Sequence, residues 1–361
     1  MNIQTNVYKV SNYGGLPSGL LGHLNLSSTD TPQGPSNKEI IVIIDLSQSM
    51  SSSLLHIQIA LQNLKEVLDP EIFMTLIGYN NTAFELFSGP AKRCPKMSTL
   101  CASGYTNMGA GISLAFTKID RRKATWMVVL SDGISNLGKY QTVKQFEKLM
   151  KQTPDRTEII SIGLGNTFDA NIMQSLGDFI YLAETEGITE FFRGLAKEIT
   201  NVQIFGIKAT SNFKSRVVIG DSRLGCLSSG STLQFGVVTQ YLPDNPHFKI
   251  SYRCMDDLDT LITKEIPLSS SEIKSPPDLV KKQYYTFAAL RRLQILYKNL
   301  ASVHLFSTIQ TIKKDIKRWT EPSSQEARAM LERFLSKLET KGDQHILGYQ
   351  IAGKINYRYN S

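Results

Sequence analysis

The fold of this chain is indicated by the stretch Glu39-Ile40-Ile41-Val42-Ile43-Ile44-Asp45-Leu46-Ser47-Gln48-Ser49-Met50. Its first half is an unbroken β-branched run, which is typical of a strand buried on both faces of a parallel sheet. Its second half supplies one carboxylate and two hydroxyls where that strand ends. Because ligands of open α/β sheets bind beyond the carboxyl ends of the strands, the loop after Asp45 is the first candidate for a functional site.

Similar apolar runs recur further along the chain, and segments with helical spacing lie between them. The runs are Ile72–Tyr79, Thr125–Ser131, Glu158–Gly163 and Phe179–Ala183. The helical segments are Leu54–Leu68, Met108–Ile119, Tyr140–Met150 and Ile188–Ile199. The alternation predicts an α/β fold with a doubly wound, mostly parallel sheet, similar to a Rossmann fold. Residues 82–87 follow the second strand too closely for a crossover helix, so they predict an antiparallel edge hairpin.

The flanking segments have other patterns, which predict further parts of the molecule. Short strand-like runs from 202 to 275 predict a small β-sandwich, and residues 1–27 are expected to add one or more strands to it. Turn-forming residues at 28–37 predict a linker before the α/β domain at 38–201. Helical spacing returns at 276–341 and predicts two or three packed helices, followed by a tail at 342–361.

Composition narrows the class of protein. The chain has 361 residues and is 41% hydrophobic, which is enough to bury a large core and excludes a disordered chain. No apolar run approaches the ~20 residues of a transmembrane helix, and no secretion signal precedes the first strand. Four scattered cysteines do not form a disulfide framework, so a reduced, cytoplasmic protein is expected.

Two further loops carry oxygen donors that the predicted topology brings to the same edge. Asp132 follows the strand that ends at Ser131, and Thr106 precedes a helix in the segment Gly104-Tyr105-Thr106-Asn107-Met108-Gly109. With the loop after Asp45, they offer two carboxylates and three hydroxyls. Such donors suit Mg²⁺, Mn²⁺ or Ca²⁺. The alternative interpretation is that these groups only bond to each other and cap helices.

In this order, the three segments resemble the von Willebrand factor A domain family, whose metal-ion-dependent adhesion site is Asp-x-Ser-x-Ser, a loop Thr and a strand-end Asp. The resemblance covers residues 38–201. It implies that the metal ligands are Asp45, Ser47, Ser49, Thr106 and Asp132, and that the cation is Mg²⁺, with Mn²⁺ or Ca²⁺ possible. It also implies that the ion binds an Asp or Glu side chain of a partner protein and is not a catalyst. One departure is Gln48, where the family commonly has Gly.

A nucleic-acid-binding protein is the alternative function. The net charge of +8 is concentrated between 279 and 341, where thirteen Lys and Arg stand against five Asp and Glu. Such helices can contact phosphates, with Trp319 available to stack on a base. No nucleotide-binding glycine motif, zinc-protease helix or serine-hydrolase elbow occurs, so the chain is expected not to be an enzyme.

Overall fold

The computed structural model describes residues 1–10, 19–28, 37–97, 100–132, 134–164, 168–182, 187–214, 217–219, 223–268, 275–299 and 305–339. The predicted linker lies outside this part of the chain except for its two ends, and the predicted tail at 342–361 lies wholly outside it. The strands are β1 (Asn2–Val10), β2 (Gly19–Ser27), β3 (Lys38–Asp45), β4 (Phe73–Tyr79), β5 (Ala83–Pro90), β6 (Ala124–Ser131), β7 (Thr157–Leu164), β8 (Asp178–Leu182), β9 (Val202–Ser211), β10 (Val217–Ile219), β11 (Arg223–Ser228), β12 (Thr232–Thr239), β13 (His247–Cys254) and β14 (Asp257–Pro267). The helices are α1 (Leu54–Val67), α2 (Met108–Lys118), α3 (Val143–Met150), α4 (Ala170–Leu176), α5 (Gly187–Asn201), α6 (Asp278–Asn299), α7 (Leu305–Ile316) and α8 (Gln325–Glu339).

A six-stranded sheet with the order β5-β4-β3-β6-β7-β8 forms the centre of the α/β part. All neighbouring pairs are parallel except β4 and β5, which form the antiparallel edge hairpin that the sequence predicts. Strand β3 lies between β4 and β6, so its last residue, Asp45, reaches the carboxyl edge in the middle of the sheet. The order changes direction around β3, which is where such sheets hold their ligands.

Alternate residues of β3 supply two separate cores, as expected for a strand covered on both sides. Ile40, Val42 and Ile44 pack with α1 and α5. Ile41 and Ile43 pack on the opposite face with α2, α3 and α4. Every residue of β3 is buried. The predicted doubly wound, mostly parallel α/β sheet is therefore confirmed.

Two four-stranded antiparallel sheets form the β-sandwich, with the orders β1-β2-β12-β10 and β11-β9-β13-β14. Strand β2 pairs with β12 over eight residues, from Thr232 opposite Ser27 to Thr239 opposite Leu20. Strands that precede the α/β part in the sequence therefore share one sheet with strands that follow it. The edge-on rings of Trp126 and Phe205, 5.2 Å apart, join the sandwich to the base of the central sheet.

Helices α6, α7 and α8 pack on the outer face of the sheet that contains β1 and β2. Trp319 is only 4% exposed and lies against Tyr285 and the Arg292 guanidinium, so the prediction that it is available for base stacking is wrong. Its apolar ring is used instead to fill the core of the bundle. The helices also pair several of their cations internally. These ion pairs are Arg292 with Asp315, Lys282 with Glu326, and Arg328 with Glu332. In the described part of the chain, no helix is both long enough and apolar enough to cross a bilayer.

Candidate metal centre

Backbone hydrogen bonds join the loops at the carboxyl edge of the central sheet into one framework. The N–H of Leu46 donates to the carbonyl of Tyr79 at 2.7 Å, which continues the pairing of β3 with β4 by one residue. The N–H of Gln48 donates to the carbonyl of Gly104 at 3.1 Å, and the N–H of Ser103 to that of Leu46 at 2.8 Å. The loop after Asp45 is therefore fixed against the loop that carries Thr106.

Four of the predicted ligands form a continuous chain of hydrogen bonds. The N–H of Ser47 donates to Asp45 Oδ1 at 2.9 Å, and the hydroxyls of Ser47 and Ser49 lie 3.2 Å apart. The Ser49 hydroxyl donates to Asp132 Oδ1 at 2.8 Å. Residues 83 positions apart in the sequence are thereby brought into direct contact.

These contacts bear on the alternative interpretation, in which the polar groups only bond to each other and cap helices. Ser47 precedes a short 3-10 turn over Gln48–Ser52, and Ser53 precedes α1, but neither side chain makes a capping hydrogen bond. The polar groups do bond to each other, as that interpretation states. Their hydroxyls are directed toward the two carboxylates and not toward the helix termini.

Asp45 is fully buried and is held from below by neutral donors. The Ser131 hydroxyl donates to Asp45 Oδ2 at 2.7 Å, opposite the bond from Ser47 to the other carboxylate oxygen. Burial raises the pKa of Asp45, and these hydrogen bonds oppose the rise. Tyr79 is also fully buried, and burial followed by the nearby Asp45 charge raises its pKa well above the usual value, which keeps the phenol protonated.

Asp132 lies nearer the surface, at 8% exposure, and is the second carboxylate of the site. Burial is the main cause that raises its pKa to about 6, and the charge of Asp45 adds to the effect, while the bond from Ser49 opposes it. Holding both carboxylates ionised at neutral pH is therefore unfavourable in the protein alone.

Thr106 is placed by a different set of contacts. Its N–H donates to Asn136 Oδ1 at 2.9 Å, and its carbonyl accepts from the N–H groups of Asn136 and Leu137 at 3.0 and 3.2 Å. Thr106 is 3% exposed. The structure thus fixes the Thr106 backbone between its own loop and the loop after Asp132. The other four predicted ligands are connected by the chain of hydrogen bonds described above.

The donor set fits a hard divalent cation. All five side chains offer oxygen, and two of them carry a negative charge that a cation would offset. The described residues contain no group of three or more His, Cys, Asp or Glu side chains that could hold a metal ion. The candidate site is a different kind of donor set, because only two of its five ligands are carboxylates and the other three are hydroxyls.

Sequence reasoning missed the residues that support the site. Ser131 holds Asp45, Asn136 holds Thr106, and Asn81 accepts the N–H of Tyr105 at 2.7 Å. Asn and Ser residues at the carboxyl edge of the sheet were the available signal, since their short side chains commonly bond to nearby polar groups. That signal does not say which loop each side chain contacts.

The chain is similar in fold to several solved structures. No protein-family model and no curated protein matches it. The ArnB paralog VWA2 from Sulfolobus acidocaldarius is 16% identical, with a TM-score of 0.63 over 98% of this chain and 97% of that chain. The von Willebrand factor type A structure from Catenulispora acidiphila is 13% identical, with a TM-score of 0.61 over 93% and 89%. The human COPII-coat protein Sec24c is 12% identical, with a TM-score of 0.52 over 90% of this chain and 57% of its own. At these identities the likeness shows the fold alone. This chain therefore contains a domain with the von Willebrand factor A fold.

Proposed function

We propose that this chain is a non-enzymatic protein-binding module that works through a divalent cation. Ser47, Ser49 and Thr106 would hold the ion through their hydroxyls, and Asp45 and Asp132 would hold it directly or through water. Mg²⁺ is the proposed ion, with Mn²⁺ and Ca²⁺ as alternatives. When bound, the cation supplies a positive charge that attracts an Asp or Glu side chain of a partner protein.

The observation that carries this proposal is the hydrogen-bonded chain from Asp45 through Ser47 and Ser49 to Asp132. It brings two carboxylates and two hydroxyls together at the centre of the carboxyl edge, where this class of sheet binds ligands. The residues from Asp45 to Ser49 also differ in how far they are buried. Asp45 is fully buried and Ser47 nearly so, whereas Gln48 and Ser49 are exposed. The exposed end is the side from which a partner would approach.

The neighbouring residues act by fixing the donors before any ion arrives. Ser131 and the Ser47 backbone each occupy one oxygen of Asp45, so the carboxylate cannot rotate freely. Asn136 fixes the loop of Thr106. Preorganised donors lose little conformational freedom on binding, which favours affinity. These residues are assigned a positioning role and no step of proton or group transfer.

The basic helices are not included in the proposed binding surface. Arg292 is 8% exposed and bound to Asp315, while Lys282 and Arg328 pair with glutamates of α8. Paired cations have less charge available for phosphates than the sequence count suggests. The sandwich and the helices are therefore proposed as a support for the metal-binding domain.

The test is a thermal-unfolding titration with Mg²⁺ and with Mn²⁺ after removal of metal by EDTA. The expected result is a concentration-dependent rise in Tm for the natural chain, and no rise for Ser49→Ala or Asp132→Asn. Asp155→Asn is the matched control, because Asp155 is an exposed carboxylate at the opposite edge of the sheet, just before β7. An equal rise in all four proteins would contradict a site at Asp45–Asp132.

A further inference from the structure

Few charged side chains lie on the described loops that carry or contact the proposed metal ligands. These loops are residues 46–53, 80–82, 100–107 and 134–140. Together they contain one charged residue, Lys139, whose Nζ lies 5.5 Å from the centre of the Tyr140 ring. Apart from the two carboxylates of the site itself, these loops therefore offer a partner little electrostatic attraction.

The same loops expose two large apolar side chains next to proposed ligands. Tyr105 immediately precedes Thr106 and is 63% exposed. Ile134 follows Asp132 by two positions and is 55% exposed. Tyr is enriched in protein interfaces, and covering either apolar side chain with a partner would be favourable.

Both loops are held in place by hydrogen bonds, so these side chains project from a fixed framework. The N–H of Tyr105 is bound by the Asn81 side chain at 2.7 Å, and Gly104 has the left-handed φ of +76° that this turn needs. On the other loop, the Ser135 hydroxyl donates to the Tyr140 carbonyl at 2.8 Å, next to Ile134. Apolar groups on a preorganised rim contribute more to binding than groups on a mobile segment.

We propose that the partner segment carries a single acidic residue flanked by apolar residues, which pack on Tyr105 and Ile134 while the acidic side chain meets the cation. This inference rests on the proposed function and adds the recognition chemistry around the ion. The charge of the segment is matched by the metal alone. The uncharged rim favours apolar flanks and gives no advantage to flanking charges.

The test uses three synthetic pentapeptides in isothermal titration calorimetry with the full chain and excess Mg²⁺. Their sequences are Gly-Leu-Asp-Leu-Gly, Gly-Ser-Asp-Ser-Gly and Gly-Leu-Asn-Leu-Gly. We expect the leucine-flanked Asp peptide to bind about tenfold more tightly than the serine-flanked one, which corresponds to ~1.4 kcal/mol. The Asn peptide is expected not to bind, and EDTA should abolish binding of both Asp peptides.

Variants assign the preference to the rim. Tyr105→Ser combined with Ile134→Ser should bind the two Asp peptides equally and weakly, with Tm unchanged because both side chains are exposed. Tyr241→Ser is the matched control, since Tyr241 is a 75% exposed aromatic residue of the sandwich; it should keep the tenfold preference. Equal Mg²⁺-dependent binding of both Asp peptides by the natural chain would overturn this inference and leave the proposed function standing. Binding that ignores EDTA, or the absence of any binding in Mg²⁺, would overturn the proposed function and this inference with it.

Discussion

Replacing Asp132 by Asn is expected to stabilise the metal-free protein and to remove its response to Mg²⁺. The two effects have one cause. Asp132 shares a partly closed site with Asp45, and it is joined to that residue through Ser49 and Ser47. Without a cation, ionising the second carboxylate is unfavourable. Asn keeps an oxygen that accepts the Ser49 hydroxyl, while it removes the charge.

The magnitude follows from the pKa of Asp132, which burial raises from 3.8 to about 6. That difference corresponds to ~3 kcal/mol, and solvent screening at the rim reduces it to ~1.5 kcal/mol. Between the two pKa values the folded chain still binds a proton that the unfolded chain has released. The free energy of unfolding therefore falls as the pH rises from about 4 to 6 in EDTA, and it stays low above 6.

The assay is urea unfolding in EDTA across this pH range, repeated at pH 7.5 with Mg²⁺. In EDTA at pH 7.5, Asp132→Asn should be more stable than the natural chain by ~1.5 kcal/mol, and the two should converge near pH 4. With Mg²⁺ at a hundred times its Kd, the natural chain should gain ~2.7 kcal/mol and the variant nothing. An Asn variant that is less stable in EDTA at pH 7.5 would refute the reasoning, as would a variant that still responds to Mg²⁺.

Three other predictions concern the scaffold. Burial lowers the pKa of Lys38 from 10.5 to about 8. Between these two values the unfolded chain binds a proton that the folded chain has lost, so the free energy of unfolding rises with pH. Lys38→Met should remove ~1–2 kcal/mol of that rise, as measured by urea unfolding at pH 7 and pH 10. A Cβ at Gly177 would lie 2.3 Å from the Ile159 carbonyl oxygen, so Gly177→Ala should cost ~2–3 kcal/mol, and an unchanged Tm would argue against this close approach. Arg292→Ala should lower the free energy of unfolding by ~2–4 kcal/mol, because it breaks a partly buried ion pair with Asp315. Thermal unfolding followed by helical circular dichroism measures this loss. A loss below ~0.5 kcal/mol would show that the pair contributes no more than a surface contact.

The central sheet was predictable because its signals are local. The β-branched run of β3 needs burial on both faces, and the short connection before β5 leaves room only for a hairpin. Two elements lack such a local signal. Helix α4 spans Ala170–Leu176, two turns, which is too short for helical spacing to be visible. Strand β11 contains three register irregularities and Gly225 at φ +74°, so its residues do not alternate regularly.

The candidate site divides in the same way. Asp45, Ser47 and Ser49 are adjacent in the sequence, and a spacing motif detects them. Their supporting contacts join different strands and loops, as when Ser131 holds Asp45 across the pairing of β3 and β6. Such contacts depend on which strands become neighbours, and strand order is a tertiary property that residue spacing does not encode. Metal binding itself stays a prediction.

The pairing of β2 with β12 has a consequence for the order of events at the ribosome. Residues 19–27 are translated before the α/β domain, but their partner at 232–239 is translated some two hundred residues later. The intervening domain has one core, between its sheet and helices α2, α3 and α4, that contains no residue of the sandwich, so it can begin to fold as it emerges. Until then the early hairpin presents unpaired N–H and C=O groups along Leu20–Ser27, a surface prone to pairing with other nascent chains. Slowed translation before residue 232 should therefore increase aggregation, and chaperones that cover exposed strands should suppress it.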